Sequence, residues 1–167
     1  LVESEAVDHL DRLALLVEAY ARAERNTQGI ALVDEALAFV TQIGESYWNA
    51  EFYRAKGDML LASAADAVEI ERCYQAALET ARQQGAKSLE LRAAVSLARL
   101  WQAQGKVGHA QHLLAGIYDW FSEGSDTPDL REAGALGQPP AVAGGRDLGG
   151  PVRGYNVEVI IADDGST

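Results

Sequence analysis

Apolar residues recur at intervals of three and four along most of the chain. Leu10, Leu13, Ala14, Val17 and Tyr20 share one face of a helix predicted over about residues 4–24. The polar run Arg25-Asn26-Thr27-Gln28-Gly29 reads as the turn after it. Leu32, Val33, Ala36, Leu37, Val40 and Ile43 define a second helix, with Gly44 placed as its left-handed C-terminal cap. Ser46 is positioned to cap a third, which carries Phe52, Tyr53, Gly57, Leu60 and Leu61. Ile70, Cys73, Tyr74, Ala77, Leu78 and Ala81 mark a fourth that stops at Gly85. Ser88 is positioned to start a fifth, from Leu89 to Trp101, which ends at Gly105. A sixth runs from Ala110 through Phe121 and ends at Gly124. Helices joined by turns this short are expected to be antiparallel neighbours.

The helices fall into a repeat. Val17, Gly57 and Ala98, near the middle of the odd-numbered helices, stand 40 and 41 positions apart. Twelve or thirteen residues after each comes Gly29, Ile70 or Ala110, followed by Val33, Tyr74 and Leu114, then Ala36, Ala77 and Ile117. A small residue on one helix facing a bulky one on the next predicts close packing within each hairpin. Self-similarity at this period marks a stacked helical array. The spacing resembles the tetratricopeptide repeat in a version somewhat longer than the usual 34 residues. It departs from that pattern at Gly29 and Ile70, where Ala is usual, and in lacking the helix-ending Pro. An unrelated helical bundle is the plain alternative.

A second resemblance rests on the run Ala86-Lys87-Ser88-Leu89-Glu90-Leu91-Arg92-Ala93-Ala94, followed by Ser96-Leu97-Ala98-Arg99-Leu100-Trp101. It is extended by Tyr118-Asp119-Trp120-Phe121-Ser122-Glu123-Gly124 and Asp126-Thr127-Pro128-Asp129-Leu130. From about Glu51 to Ala133 the chain resembles the C-terminal repeats of bacterial multidomain signalling proteins of the predicted-ATPase and adenylate/guanylate cyclase type. The resemblance implies catalytic parts upstream of these repeats. A chain starting at Leu1 and not Met is likewise expected to be a piece of something longer.

Thr127-Pro128-Asp129 is a helix start: a cap, a proline suited to the first turn, and an acid at the positive end of the dipole. The short helix it opens, through about Ala133, is expected to cap the array. Beyond it the character changes. Residues 134–154 are rich in Gly and hold Pro139, Pro140 and Pro151, which predicts linker or disorder. The run Val157-Glu158-Val159-Ile160-Ile161-Ala162 is strand-like and leads into Asp163-Asp164-Gly165-Ser166-Thr167. This segment resembles the strand and turn of a family 2 glycosyltransferase nucleotide-sugar domain, which implies Asp163 and Asp164 as sugar-nucleotide contacts. The remaining sheet and the metal-binding carboxylates of that family are missing, so a truncated or joined fragment is expected.

The fold expected is therefore all-α. Residues 1–133 form three antiparallel hairpins of a tetratricopeptide-like α-solenoid with a capping helix, and residues 134–167 form a disordered tail. Composition adds function classes to exclude. The net charge of −11 opposes binding to phosphate backbones and to anionic lipid, so neither nucleic acid nor membrane is an expected partner. No apolar run approaches the ~20 residues of a membrane span, and the N-terminus lacks a leader pattern. A cytoplasmic location is expected. The single cysteine, Cys73, lies in an apolar stretch and reads as a buried, inert thiol.

Chemistry-bearing motifs are sparse. His109 and His112 share a helix face, but a third ligand is wanting, and solvated histidines are the expectation. Gly105-Lys106 lacks the upstream glycine and following hydroxyl of a phosphate loop. No catalytic residue, metal site or cofactor is expected. What remains is a binding surface for a protein or peptide, or for other domains of the parent chain, with self-association through an exposed end as a further expectation. The resemblance to tetratricopeptide arrays implies that the first helix of each hairpin lines the concave side. That nominates Glu51, Arg54 and Asp58, and Arg92, Ser96 and Arg99. Arg92 and Arg99, seven apart, point the same way toward a partner's carboxylates. Alternatively, they pair with Glu90 and other local acids.

Overall fold

The computed structural model describes residues 2–44, 47–118, 120 and 127–137. Among these it forms seven helices: α1 (Val2–Arg22), α2 (Asn26–Ile43), α3 (Asn49–Ala62), α4 (Ala67–Gln83), α5 (Lys87–Ala103), α6 (Val107–Tyr118) and α7 (Pro128–Gly137). No strand occurs among the described residues, so the all-α expectation holds there. The strand-like run before Asp163 and Asp164, and those two residues themselves, lie outside them.

Four corners close with one backbone motif. After α1, α3, α4 and α5, a residue with positive φ sends its N–H three residues back, and the next residue sends its own five back. The positive-φ residues are Glu24, Ala64, Gly85 and Gly105. This double bond satisfies the orphan carbonyls of the last helical turn. Two corners use glycine, as the sequence indicates. Glu24 and Ala64 adopt the same left-handed conformation without it, at φ 55° and 53°.

The corner at Glu24 corrects one expectation. Asn26-Thr27-Gln28-Gly29 is not the turn but the opening of α2. The real turn is only Ala23 to Arg25, and Gly29 is buried where α2 meets its neighbours. Other ends also differ from the sequence reading. Gly44 has φ 99° with ψ −164°, a glycine-only conformation but not the left-handed helical one. Ser88 lies inside α5, whose first residue follows Ala86, and Ser46 is outside the described residues. Asp66, not singled out from the sequence, caps α4 by accepting the Val68 N–H at 2.9 Å. Thr127 caps α7 as expected, its Oγ1 accepting the Leu130 N–H at 3.3 Å. That helix continues through Gly134 to Gly137, past the expected end near Ala133, because Gln102 Nε2 donates to the Leu136 carbonyl and ties down its last turn.

The helices make two layers. α1, α3, α5 and α7 touch in succession, and each even helix packs between two odd ones. Among the described residues α2, α4 and α6 do not contact one another. All twelve positions of the sequence repeat are buried, from Val17, Gly57 and Ala98 on the odd helices to Ala36, Ala77 and Ile117 on the even ones. The reason is steric. A methyl group built on Gly57 would stand 2.5 Å from Tyr74 Cε1, so the ring of α4 occupies the notch that the missing side chain leaves in α3. Gly29 makes the matching notch in α2 for Met59 of α3. Two large apolar clusters result, one uniting α1, α2 and α3 and one running from α3 to α7, with Ile30 packed against both, and Ala50, Ala81 and Leu89 form a small third. In the second, Ala77, Ala94, Ala98 and Ala110 are wholly buried, and such small residues let helix axes approach closely. α5 has neighbours in α3, α4, α6 and α7, and ten of its residues are buried.

One buried charge belongs to this corner of the core. Glu90 is 6% exposed and receives Arg82 at 3.0 Å and Lys87 at 2.7 Å. Burial alone would raise its pKa, but hydrogen bonds from Lys87 and Arg82 outweigh it and hold the carboxyl below its ordinary 4.5. A depressed carboxylate stabilises the fold above its unfolded-state value, and that contribution is lost as pH falls through the lower folded-state value. Glu90→Gln is expected to destabilise by about 1–3 kcal/mol at pH 7, since both charged hydrogen bonds go. Urea titrations across pH 7 to 3 check it: the gap between wild type and variant should narrow once pH drops below 4.5. A gap independent of pH would mean that folding does not shift the Glu90 pKa.

A candidate peptide groove on the odd-helix layer

The odd helices bring together side chains that the sequence separates by up to 121 positions, from Asp11 to Glu132. They line a groove of about 810 Å³ in which every lining residue outside the two-residue approach Tyr47 and Trp48 comes from α1, α3, α5 or α7. All six residues nominated from the sequence are there: Glu51, Arg54 and Asp58 from α3, and Arg92, Ser96 and Arg99 from α5. Four-residue and seven-residue spacing places them on one stripe of each helix.

Arg54 is the centre of the α3 stripe. Its guanidinium engages both oxygens of Glu51 and donates to Asp58 at 2.5 Å. Burial works against its charge, yet the Glu51 and Asp58 carboxylates more than compensate and raise its pKa further above the ordinary arginine value. The second oxygen of Asp58 accepts the Tyr74 hydroxyl at 2.8 Å. Burial, and then the Asp58 charge, push the Tyr74 phenol upward, so it stays protonated and donating. The groove is thereby wired to the notch at Gly57: a carboxylate on its surface holds the ring that fills the core.

The α5 arginines are engaged by α7. Arg92 donates to Asp129 at 3.2 Å and lies 3.9 Å from Glu51. Arg99 pairs with Glu132. The local pairing anticipated for these arginines therefore exists, but not with Glu90, which sits on the other side of α5 with Arg82 and Lys87. Nor do the two arginines stand open toward a partner's carboxylates. They fasten α7 to the groove wall. Ser96 is buried in the floor.

Several lining residues escaped the sequence reading. Asp11 and Glu18 are seven apart on α1, the same spacing that nominated Arg92 and Arg99, and the rule applied to α1 finds them. Asp11 Oδ1 accepts the Trp48 indole N–H at 2.7 Å, which joins α1 to α3. Asp129 and Glu132 had no such signal, because their place depends on how α7 folds back on α5. Beside the acids stand exposed apolar groups, with Leu15 at 67% and Tyr47 at 61% of their accessible surface.

No protein-family profile, curated protein sequence or solved structure matches this chain. The groove's chemistry must speak for itself. Among its lining residues no nucleophile is held by a base: the charged groups are carboxylates and guanidiniums, and each of the three arginines is paired with a carboxylate. Elsewhere, His109 meets the Trp101 ring edge-on at 5.9 Å between centroids. Among the described residues no three His, Cys, Asp or Glu side chains are grouped to hold a metal ion. Burial raises the Cys73 thiol above its ordinary value and keeps it a poor nucleophile. No helix among the described residues is long and apolar enough to cross a membrane.

Proposed function

We propose that this chain is a non-catalytic helical-repeat module of tetratricopeptide type, a solenoid whose odd-helix groove holds a peptide segment of a partner protein. The observation that carries this reading is the composition of the groove wall. Successive odd helices supply it at a repeat of 40 and 41 residues, so binding residues recur with the period of the fold. The sequence resemblance to the C-terminal repeats of bacterial signalling ATPases and nucleotide cyclases supports a regulatory setting in the cytoplasm. There the segment would come from another protein or from another domain of the parent chain. Self-association through the exposed end formed by α1, with Val7 and Leu16 outward, fits the same architecture.

Peptides selected from a random display library against the immobilised chain provide the test. Titrated into isotopically labelled protein, they are expected to shift amide resonances of α1, α3 and α5 on the groove stripe. Shifts confined to the outer surfaces of α2, α4 and α6, or a library that yields no binder, would remove the reading.

A further inference from the structure

We infer that the occupant of this groove is a cationic peptide segment bearing an apolar side chain, a choice of partner that rests on the groove-binding reading above. Six carboxylates line the groove (Asp11, Glu18, Glu51, Asp58, Asp129 and Glu132) against three guanidiniums, Arg54, Arg92 and Arg99. The formal balance, three minus six, is −3.

Position sharpens the count. Each groove arginine is already held by a carboxylate of the chain itself: Arg54 by Glu51 and Asp58, Arg92 by Asp129, Arg99 by Glu132. An acidic segment would have to break these pairs, two of which hold α7 to α5. A basic segment that engages the α1 acids leaves all of them in place. Asp11 forms a hydrogen bond with Trp48 and no ion pair among the described residues, and Glu18 is paired only with the highly exposed Arg22. Both acids lie on α1, at the end of the groove where Leu15 and Tyr47 are exposed. Carboxylates held by no groove arginine, beside exposed apolar side chains, complement a segment that alternates Lys or Arg with a large apolar residue. The chain's own residues 138–167 do not fit, since they carry two arginines against four acids.

The groove also bounds the segment's length. Helix axes in contact lie roughly 8–10 Å apart, so the span from α1 to α7 is about 27 Å. An extended chain rising ~3.3 Å per residue covers it with about eight residues.

Three synthetic peptides of about ten residues distinguish the outcomes: one alternating Lys with Leu, one alternating Glu with Leu, and one alternating Lys with Ser. Fluorescence anisotropy is read at low and high salt with the full chain. The Lys-Leu peptide is expected to bind about tenfold or more tightly than either other peptide, and to weaken severalfold as salt rises. The chain is acidic everywhere, so location is tested by two charge-matched pairs of substitutions. Asp11→Asn with Glu18→Gln should weaken the Lys-Leu peptide by about fivefold or more, with the Trp48 hydrogen bond still available to the asparagine oxygen. Glu35→Gln with Glu79→Gln, on the exposed faces of α2 and α4, should leave it within about twofold. Equal weakening by both pairs would reduce the effect to general charge attraction and overturn the inference. Tighter binding of the Glu-Leu peptide at the groove would overturn it too, while leaving the groove-binding reading in place. Binding by none of the three would overturn both.

Discussion

Replacing Tyr74 with alanine is expected to destabilise the chain by about 3–5 kcal/mol, the range for deleting a fully buried aromatic ring. Tyr74 is 1% exposed, and its ring fills the notch at Gly57 where α4 packs on α3. Alanine leaves both the notch and the ring volume empty, and it strands the Asp58 oxygen that had accepted the hydroxyl at 2.8 Å. Tyr74→Phe separates the two contributions. It keeps the ring and removes only the hydrogen bond, so its expected loss is about 1–2 kcal/mol. Urea unfolding followed by circular dichroism measures both, with an unchanged m-value as the sign that the folded and unfolded states keep their extent. A loss near 1 kcal/mol for the alanine variant would mean that the α3–α4 contact is not where this fold holds together.

Gly57→Ala is expected to destabilise as well, against the direction that helix propensity dictates. Alanine in a helix interior is favoured over glycine by about 1 kcal/mol. Here the added methyl would lie 2.5 and 2.8 Å from Tyr74 ring carbons. Overpacking of this kind costs about 1–3 kcal/mol, and the ring is poorly able to retreat because its hydroxyl is tied to Asp58. Set against the propensity gain, net destabilisation of up to about 2 kcal/mol follows. In a Tyr74→Ala background the sign should reverse: the methyl then enters empty space, and Gly57→Ala becomes stabilising by up to about 1 kcal/mol. The double-mutant cycle reads that reversal directly. Additive effects would show that glycine at 57 serves something other than the ring.

These two residues also connect the fold to the groove. Asp58 gives one oxygen to Tyr74 and the other to Arg54, and Arg54 reaches Glu51. A partner that drew Glu51 or Asp58 toward its own cations would compete with Arg54 for them. The carboxylates on α1 offer charge without that competition, which is why the cationic end of a segment belongs there.

Much of the helical architecture is determined locally. The apolar period places the first six helices and the Thr127-Pro128-Asp129 start places the seventh, and the recurrence of small and bulky residues at 40 and 41 positions marks the twelve buried positions of the repeat. Seven-residue spacing found both arginines of α5, because side chains that far apart on a helix share a face wherever the helix is put. The helix ends were less legible. Glycine announces a left-handed corner at Gly85 and Gly105, but Glu24 and Ala64 take the same conformation without it, closing the same pair of backbone hydrogen bonds. The continuation of α7 past Gly134 likewise needed α5 beside it, whose Gln102 meets the last turn.

The electrostatics of the groove lay wholly beyond the sequence. Composition gives a net charge, and helix periodicity gives faces, but neither says which opposite charges meet across helices. From the sequence Arg92 and Arg99 face either a partner's carboxylates or local acids, and the fold makes them the anchors of α7, with Asp129 and Glu132 folded back over them. Glu90, two residues before Arg92 and so on the other side of the helix, turned instead to Arg82 and Lys87. Local periodicity is a property of the backbone and survives translation into any packing. Ion pairing depends on distances of a few ångströms between segments remote in sequence, and only the assembled helices set those.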